Sequence, residues 1–291
     1  SIAGLEEVKI EKYGYAIEYD FFDPRGLTSF LENKKVSGLF MAGQINGTTG
    51  YEEAASQGIV AGINASLKAQ DKQKWTPLRE DSYIGVMIDD LITQGAPEPY
   101  RMFTSRAEHR LFLREDNADQ RLTKLGWELG SVTKERFDFF QKKLDMIEDE
   151  TEKLRDLKFL QEGKQICASD YLKRPNTSYT DLSRLCPEYR LTDISIGQNC
   201  AVNIKYEGYI ARQKVEISRN KKDEELSLPE KINYEKITAL SIEARENLSI
   251  ARPQNLRQAS RVPGVTPAAI SILKVQIKAI KNNKEIARDG A

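Results

Sequence analysis

Residues 38–66 read GLFMAGQINGTTGYEEAASQGIVAGINAS, and the fold turns on them. Val36 to Ala42 is a short apolar run suited to a buried parallel strand, and Gly43 ends it where a ligand could approach the backbone. The loop GQINGTTG supplies amide N–H groups, two threonine hydroxyls and an asparagine, a composition suited to a polar or anionic ligand. A helix from about Tyr51 then lines up Ala54, Gly58, Ala61 or Gly62, and Ala65, small enough to press close to a sheet. Its N-terminus, with free N–H groups and the positive end of the helix dipole, points beyond the strand ends. Strand, glycine loop and helix at the carboxyl edge of a sheet is where doubly wound folds bind cofactors. A tight strand-to-helix turn, with Glu52 and Glu53 as first-turn acids, is the plainer alternative.

The text on either side divides in two. Before residue 72, YAIEYD and VSGLFMA are rich in β-formers and DPRG is turn chemistry. After it the periods are helical. SYIGVMIDDLITQ puts Ile84, Ile88 and Leu91 on one face and stops at Gly95 before Pro97. RAEHRLFLRED and NADQRLTKLGWELG read as short helices, and from Thr133 the positions Phe137, Phe140, Leu144, Ile147 and Leu154 predict a long amphipathic helix packed on neighbours. Residues 163–195 look like an irregular connector, a helix resumes at about Cys200, and LSLPEKINY reads as a linker. The expected organisation is an α/β segment over 1–72, a helical domain over 73–234 and a terminal helical unit over 235–291.

Composition narrows the function classes. Lys plus Arg total 44 and Asp plus Glu total 44, so any polyanion site must be a local patch. His109 is the only histidine, which leaves little material for zinc or for His-activated nucleophiles, and it is expected to be a packing or surface residue. Cys167, Cys186 and Cys200 form an odd set without C-x-x-C spacing, which fits a reducing cytoplasm. No apolar run approaches the roughly 20 residues a membrane span needs, and a soluble cytoplasmic protein is expected.

Local basic patches do occur. YRMFTSRAEHRLFLREDNADQR places Arg106, Arg110 and Arg114 at steps of four, with Arg101 before and Arg121 after. Arginine suits phosphate forks and stacking on bases. Glu108, Glu115, Asp116 and Asp119 lie close by and leave open an intramolecular salt-bridge network instead. A second basic run holds Lys205, Arg212, Lys214, Arg219, Lys221 and Lys222, for which a solvated helix face is the default. Residues 251–291 hold eight Lys or Arg against two acids, including Arg257, Arg261, Lys274 and Lys278. There Thr266 is a natural N-cap and Pro267 a first-turn residue after a Pro-Gly turn, as in a helical hairpin.

The opening stretch resembles the second flavin-contacting motif of the glucose-inhibited division protein A family, the FAD subunit that modifies the wobble uridine of tRNA. APEPYRMFTSRAEHRLFLREDNADQRLT at 96–123, KYEGYIARQ at 205–213 and QASRVPGVTPAAISIL at 258–273 carry the same resemblance in family order. The resemblance implies an α/β remnant of a Rossmann-like FAD-binding domain followed by a mostly α-helical C-terminal domain. It places flavin contacts at Gly43, Gln44, Asn46, Gly47 and Thr48, with Gln44 foremost, and assigns the terminal unit with Arg257, Arg261, Lys274 and Lys278 to tRNA and GTPase-partner contacts, beside the candidate tRNA contacts Arg101, Arg106, Arg110 and Arg114. It implies FAD in this part, and NADH and methylene-tetrahydrofolate for the full-length enzyme. The partners would be the tRNA anticodon region, a GTPase subunit and a second copy in a homodimer. The ADP-binding Rossmann loop and the family's catalytic cysteines lie upstream of the matched stretches, so this chain alone is expected to lack complete catalysis. Ser1, which is not an initiator Met, agrees with a piece of a longer protein. A stand-alone helical RNA-binding or adaptor module is the other reading.

Overall fold

The structure is a computed structural model, and it describes residues 2–16, 18–190, 193–224, 226–229 and 232–277. Three large apolar cores follow one another along the chain, with a small cluster of Val86, Ala107 and Leu113 beside the first.

The first core joins Leu27, Leu31, Val60, Met87, Ile88, Leu91 and Tyr100. Helix α1 (Tyr51–Ala69) and helix α2 (Tyr83–Gln94) enclose it. The Ser82 hydroxyl caps α2 by accepting the Gly85 N–H, and Gly95 at φ 78° ends it. Ile88 and Leu91 are fully buried, as their spacing predicts, and this core runs past residue 72 to Tyr100.

Two expectations for this segment fail. Residues 36–42 form no strand among the described residues. Phe40 makes a single antiparallel bridge to Glu32, and the Asn33 and Met41 N–H groups donate to Leu39 and Leu31 in a local hairpin. A strand needs a neighbour to complete its ladder, and residues 15–20 offer no regular pairing among those described. The small-residue face of α1 is not covered either: a Cβ on Gly58 or Gly62 would meet nothing within 4 Å. No sheet among the described residues receives that face, and α1 buries Glu53, Gln57, Val60, Ala61 and Asn64, of which Ala61 alone belongs to it.

The second core is helical. Helix α3 (Ala118–Glu128) leads to α4 (Lys134–Asp156), which starts on the Thr133 hydroxyl. Phe140, Ile147 and Leu154 of α4 are buried at the expected spacing. A short antiparallel hairpin, β1 (Lys158–Gln161) and β2 (Lys164–Cys167), then turns through Glu162 and Gly163. Helices α5 (Ala168–Leu172) and α6 (Leu182–Leu185) give the expected connector its structure. Helix α7 (Ile194–Glu224) begins six residues before the position the sequence indicates and packs along α4. Its Gly197 lies against the Tyr179 ring, whose hydroxyl donates to the buried Glu150 at 2.7 Å.

The third core comprises Leu228, Ile232, Tyr234, Leu240, Leu248, Leu256, Ala259, Val262, Leu273 and Ile277. The segment read as a linker thus supplies three core residues, Leu228, Ile232 and Tyr234. Helix α8 (Ile242–Ala251) and helix α9 (Leu256–Ser260) precede a Val262–Pro263–Gly264–Val265 turn closed at 3.1 Å, with Gly264 at φ 76°. Helix α10 (residues 267–277 of those described) starts on Thr266, whose hydroxyl accepts the Ala269 N–H at 3.3 Å. Cys167, Cys186 and Cys200 are free thiols.

Gly197 gives a direct test of this packing, because an added Cβ would lie 1.9 Å from a Tyr179 ring carbon. Gly197→Ala is expected to lower stability by about 1–3 kcal/mol in urea unfolding despite its better helix propensity. A neutral or stabilising result would show that Tyr179 moves aside freely.

Candidate functional site

The 43–48 loop is built from within. Gly43 at φ 87° and Gly47 at φ 86° bracket one 3₁₀ turn, Gln44–Asn46. A Cβ on Gly47 would come within 2.6 Å of the Ala96 Cβ and 3.0 Å of the Phe21 ring, so both backbone and space demand glycine there. Gln57 of α1, fully buried, holds the loop from beneath. Its Oε1 accepts from the Gly43 N–H at 3.2 Å and from Asn46 Nδ2 at 2.8 Å, and its Nε2 donates to Thr48 Oγ1 at 2.9 Å. Asn46 and Thr48 therefore turn into the protein, Asn46 also donating to the Met41 carbonyl. Gln44 is half-buried and Thr49 is exposed. Sequence reading missed Gln57, because nothing in a glycine- and alanine-rich helix singles out one glutamine.

Residues 100–102 brace the loop from the side. The Tyr100 N–H donates to the Gly47 carbonyl at 2.8 Å, and Thr48 and Tyr100 form a parallel bridge. Glu53, in the first turn of α1 and 6% exposed, accepts the Met102 N–H at 3.0 Å and lies 3.4 Å from Arg101 Nε. Burial pushes the Glu53 carboxyl up, but the Met102 N–H and Arg101 outweigh it and hold it below its usual range. Two buried acceptors at this site, Asn46 Oδ1 and Glu53 Oε2, have no hydrogen-bond partner. Gly50 caps α1 without a side chain, so the first N–H groups of the helix carry no side-chain cap.

Behind the brace lies a buried ionic hub centred on Arg79. Its guanidinium donates to Asp90, to Asp89 at 3.3 Å, to Glu108 at 2.8 Å, and to the carbonyls of Val86 and Arg106. Burial works against the Arg79 charge, yet Asp90, Asp89 and Glu108 prevail and raise its pKa. Burial likewise raises the Asp90 carboxyl, with Arg79 and Tyr100 pulling the other way. The Tyr100 hydroxyl donates to Asp90 Oδ2 at 2.9 Å, which joins hub to brace.

The arginines expected at an RNA surface divide accordingly. The helix expected over 106–114 is absent, and only Thr104–Arg106 makes a 3₁₀ turn. Side chains take the carbonyls that a helix would use: Arg79 the Arg106 carbonyl, Arg114 that of Leu111, Asn117 that of Phe112, and Arg121 that of Arg114. Arg106, Arg110 and Arg114 consequently share no helical face. Arg106 lies 4.4 Å over the Tyr100 ring and donates to the Arg101 carbonyl. Arg114 pairs with Asp116 and Asn203. Arg257 donates to Glu80 at 2.9 Å, and Arg261 pairs with Asp89 at 2.5 Å. These two pairs tie the terminal unit to the first. Arg101 and Arg110 are exposed and Lys274 is half-buried, while Lys278 lies outside the described residues. His109 is 3% exposed, packed inside.

Comparison with known proteins places this architecture. Residues 1–73 match the family model for glucose inhibited division protein A. Residues 134–214 and 216–290 match models for the C-terminal helical domain and C-terminal helical bundle of the tRNA modifying enzyme MnmG/GidA. This chain belongs to the GidA/MnmG family. Aquifex aeolicus GidA in its form II crystal is 42% identical, with a TM-score of 0.77 over 88% of this chain and 43% of that one. The form I crystal of the same protein gives 42% identity and a TM-score of 0.76 over 88% of this chain and 42% of that one. The chain thus spans under half the length of these GidA structures and corresponds to a remnant of the nucleotide-binding domain followed by the helical part. Among the described residues no helix is long and apolar enough to cross a membrane.

The approach to the loop depends on Glu32, which accepts from Gly38 N–H at 2.8 Å and pairs with both Lys68 and Lys74. Lys68 first and then Lys74 draw its pKa from 4.5 down to about 2. A lowered carboxylate stabilises the fold above its unfolded pKa, and that contribution is lost as pH falls from about 4.5 towards 2. Glu32→Gln is expected to lose stability at pH 7 and to show a smaller further loss across that window. Urea midpoints at pH 7 and pH 3 that shift in parallel for both proteins would contradict it.

Proposed function

We propose that this chain is part of a flavin-dependent tRNA-modifying enzyme. In this reading it completes the FAD site with the 43–48 loop and uses its helical units to hold tRNA and a GTPase partner. The reaction would attach an aminomethyl or carboxymethylaminomethyl group at C5 of uridine 34, with methylene-tetrahydrofolate and NADH as co-substrates of the whole enzyme. The family fixes the broad class. The observation that carries the flavin assignment is a loop with two positive-φ glycines, anchored from behind by Gln57, beside a helix N-terminus that no side chain caps. Such a cradle presents backbone N–H groups where negative charge would gather.

The residues present fit a flavin. Gly43 and Gly47 give the loop its tight turn, the half-buried Gln44 offers an amide, and the first N–H groups of α1 carry no side-chain cap. Asn46 Oδ1 is a buried acceptor still in want of a donor. Bound there, FAD would supply hydride and electron transfer that no side chain can provide. The protein's own tasks are then positional. Gln57 fixes the loop, Tyr100 and Glu53 fix the brace, and Arg101 within the brace and Arg110 on the stretch that follows it lie exposed. A uridine in an anticodon loop is the base most cheaply drawn out of its stack, because a single-stranded loop holds it least.

The test is flavin content of the full-length protein. Wild-type protein is expected to hold about one FAD per chain, and Gln44→Ala to lose at least about tenfold in FAD affinity, equivalent to about 1.4 kcal/mol, with helicity unchanged by circular dichroism. Equal affinity in the variant would remove the loop from the flavin site.

A further inference from the structure

Between the first unit and the terminal unit lies a cleft of about 460 Å³, lined by α2 and the loops before it on one side and by α9 with its flanking residues on the other. Clefts of this size at the junction of two units are where small molecules are commonly held. Its apolar lining is Phe30, Pro77, Ile88 and Ile92. Polar groups stand on both sides of the seam and satisfy one another. Ser29 shares a hydrogen bond with Thr76 at 3.0 Å and donates to Gln254 Oε1 at 3.4 Å, while Gln258 Oε1 accepts the Gln254 N–H at 2.7 Å.

The two guanidiniums in the lining differ. Arg79 has a carboxylate or a carbonyl for each of its three nitrogens. Arg261, its side chain 16% exposed, has one carboxylate, Asp89 at 2.5 Å, and the same Asp89 oxygen also takes Arg79 at 3.3 Å. The buried Nε of Arg261 has no hydrogen-bond partner among the described residues. Burial holds the Arg261 pKa below its usual value, against the pull of Asp89 and with Arg79 and Arg257 adding to the depression. A buried cation that has only a share of one carboxylate, set beside apolar side chains, is matched by an acceptor that carries negative charge. Solvent in the seam would meet the donor and leave the charge and the apolar lining unmatched.

We infer that this cleft is a binding site for a small monocarboxylate with an apolar body, whose carboxylate pairs with the Arg261 guanidinium and whose body packs on Phe30, Pro77 and Ile92. Arginine suits the task because its planar fork can offer a carboxylate two parallel bonds. The site stands apart from the 43–48 loop and depends on neither the flavin nor the RNA reading. Its two sides come from different units, which Arg257 on Glu80 and Arg261 on Asp89 already bridge. Occupancy therefore favours the docked position of the terminal unit.

The experiment titrates full-length protein with para-trifluoromethylbenzoate, followed by fluorine NMR and by thermal unfolding, with para-trifluoromethylbenzamide as the uncharged match. The benzoate is expected to bind with a Kd of about 1 mM, the strength ordinary for a ligand of its size. It is also expected to raise the unfolding midpoint and to slow amide exchange at residues 28–30 and 256–261. The benzamide is expected to bind at least about tenfold more weakly, and Arg261→Met to weaken the benzoate by a similar factor, since each removes one partner of a charged hydrogen bond. Leu78→Trp, which fills the cleft from a half-buried position, is expected to abolish binding, and the midpoint of each variant without ligand shows that it folds. No saturable binding of the benzoate to wild-type protein would overturn the site. A benzoate affinity left unchanged by either folded variant would place the ligand elsewhere and overturn it equally. Equal affinity for the benzamide would overturn the carboxylate, and that comparison needs no variant.

Discussion

The arrangement depends on one buried cation. Arg79 is 6% exposed, and a guanidinium taken out of water costs several kcal/mol unless carboxylates surround it. Asp89 and Asp90 from α2 and Glu108 from the following loop do so, and each is thereby fixed in place. The consequences run in two directions. Asp90 takes the Tyr100 hydroxyl, and Tyr100 in turn pairs with Gly47 of the glycine loop. Asp89 takes Arg261, which, with Arg257 on Glu80, holds the terminal unit against the first.

The shape of the candidate flavin site follows from this. A glycine loop alone samples many conformations, and here Gln57 supports it from beneath, the 100–102 brace from the side, and the Phe22 N–H, which donates to the Ile45 carbonyl at 2.7 Å, from the preceding chain. The brace is extended because its Tyr100 and Met102 N–H groups donate to the Gly47 carbonyl and to Glu53, and the chain after it stays irregular because side chains satisfy its carbonyls. The ionic network thus substitutes for helical hydrogen bonds over the stretch richest in arginine. Most of those arginines act as scaffold, and only some are left to face a ligand.

Much of the helical part was legible in the sequence. The starts of α2 and α4 and the Thr266 cap follow from side-chain hydroxyls at the right positions, the end of α2 from Gly95, and the buried faces of α2 and α4 from periodicity. The glycine loop was legible by composition. What could not be read depends on contacts distant in sequence. Arg106, Arg110 and Arg114 at steps of four look helical, and side-chain bonds to the carbonyls of this stretch, among them those from the distant Arg79 and from Asn117, show why they are not. The run at 36–42 looks like a strand, but strand formation is decided by a neighbour. Gln57 and Asn64 sit on a helix that reads as small and apolar, and their burial follows from partners at Thr48 and Trp75. Arg257 and Arg261 belong to a basic terminus by composition, whereas the structure gives each a carboxylate more than 170 residues away, as the separation of 177 between Arg257 and Glu80 shows.

The most direct measurement is amide hydrogen exchange on full-length protein bearing Arg79→Met. The account predicts that protection falls together in two places far apart in sequence, the 43–48 loop and residues 255–260, because both are held through the acids that Arg79 pairs. Loss of protection confined to residues 79–90, with the loop and the terminal unit unchanged, would contradict it.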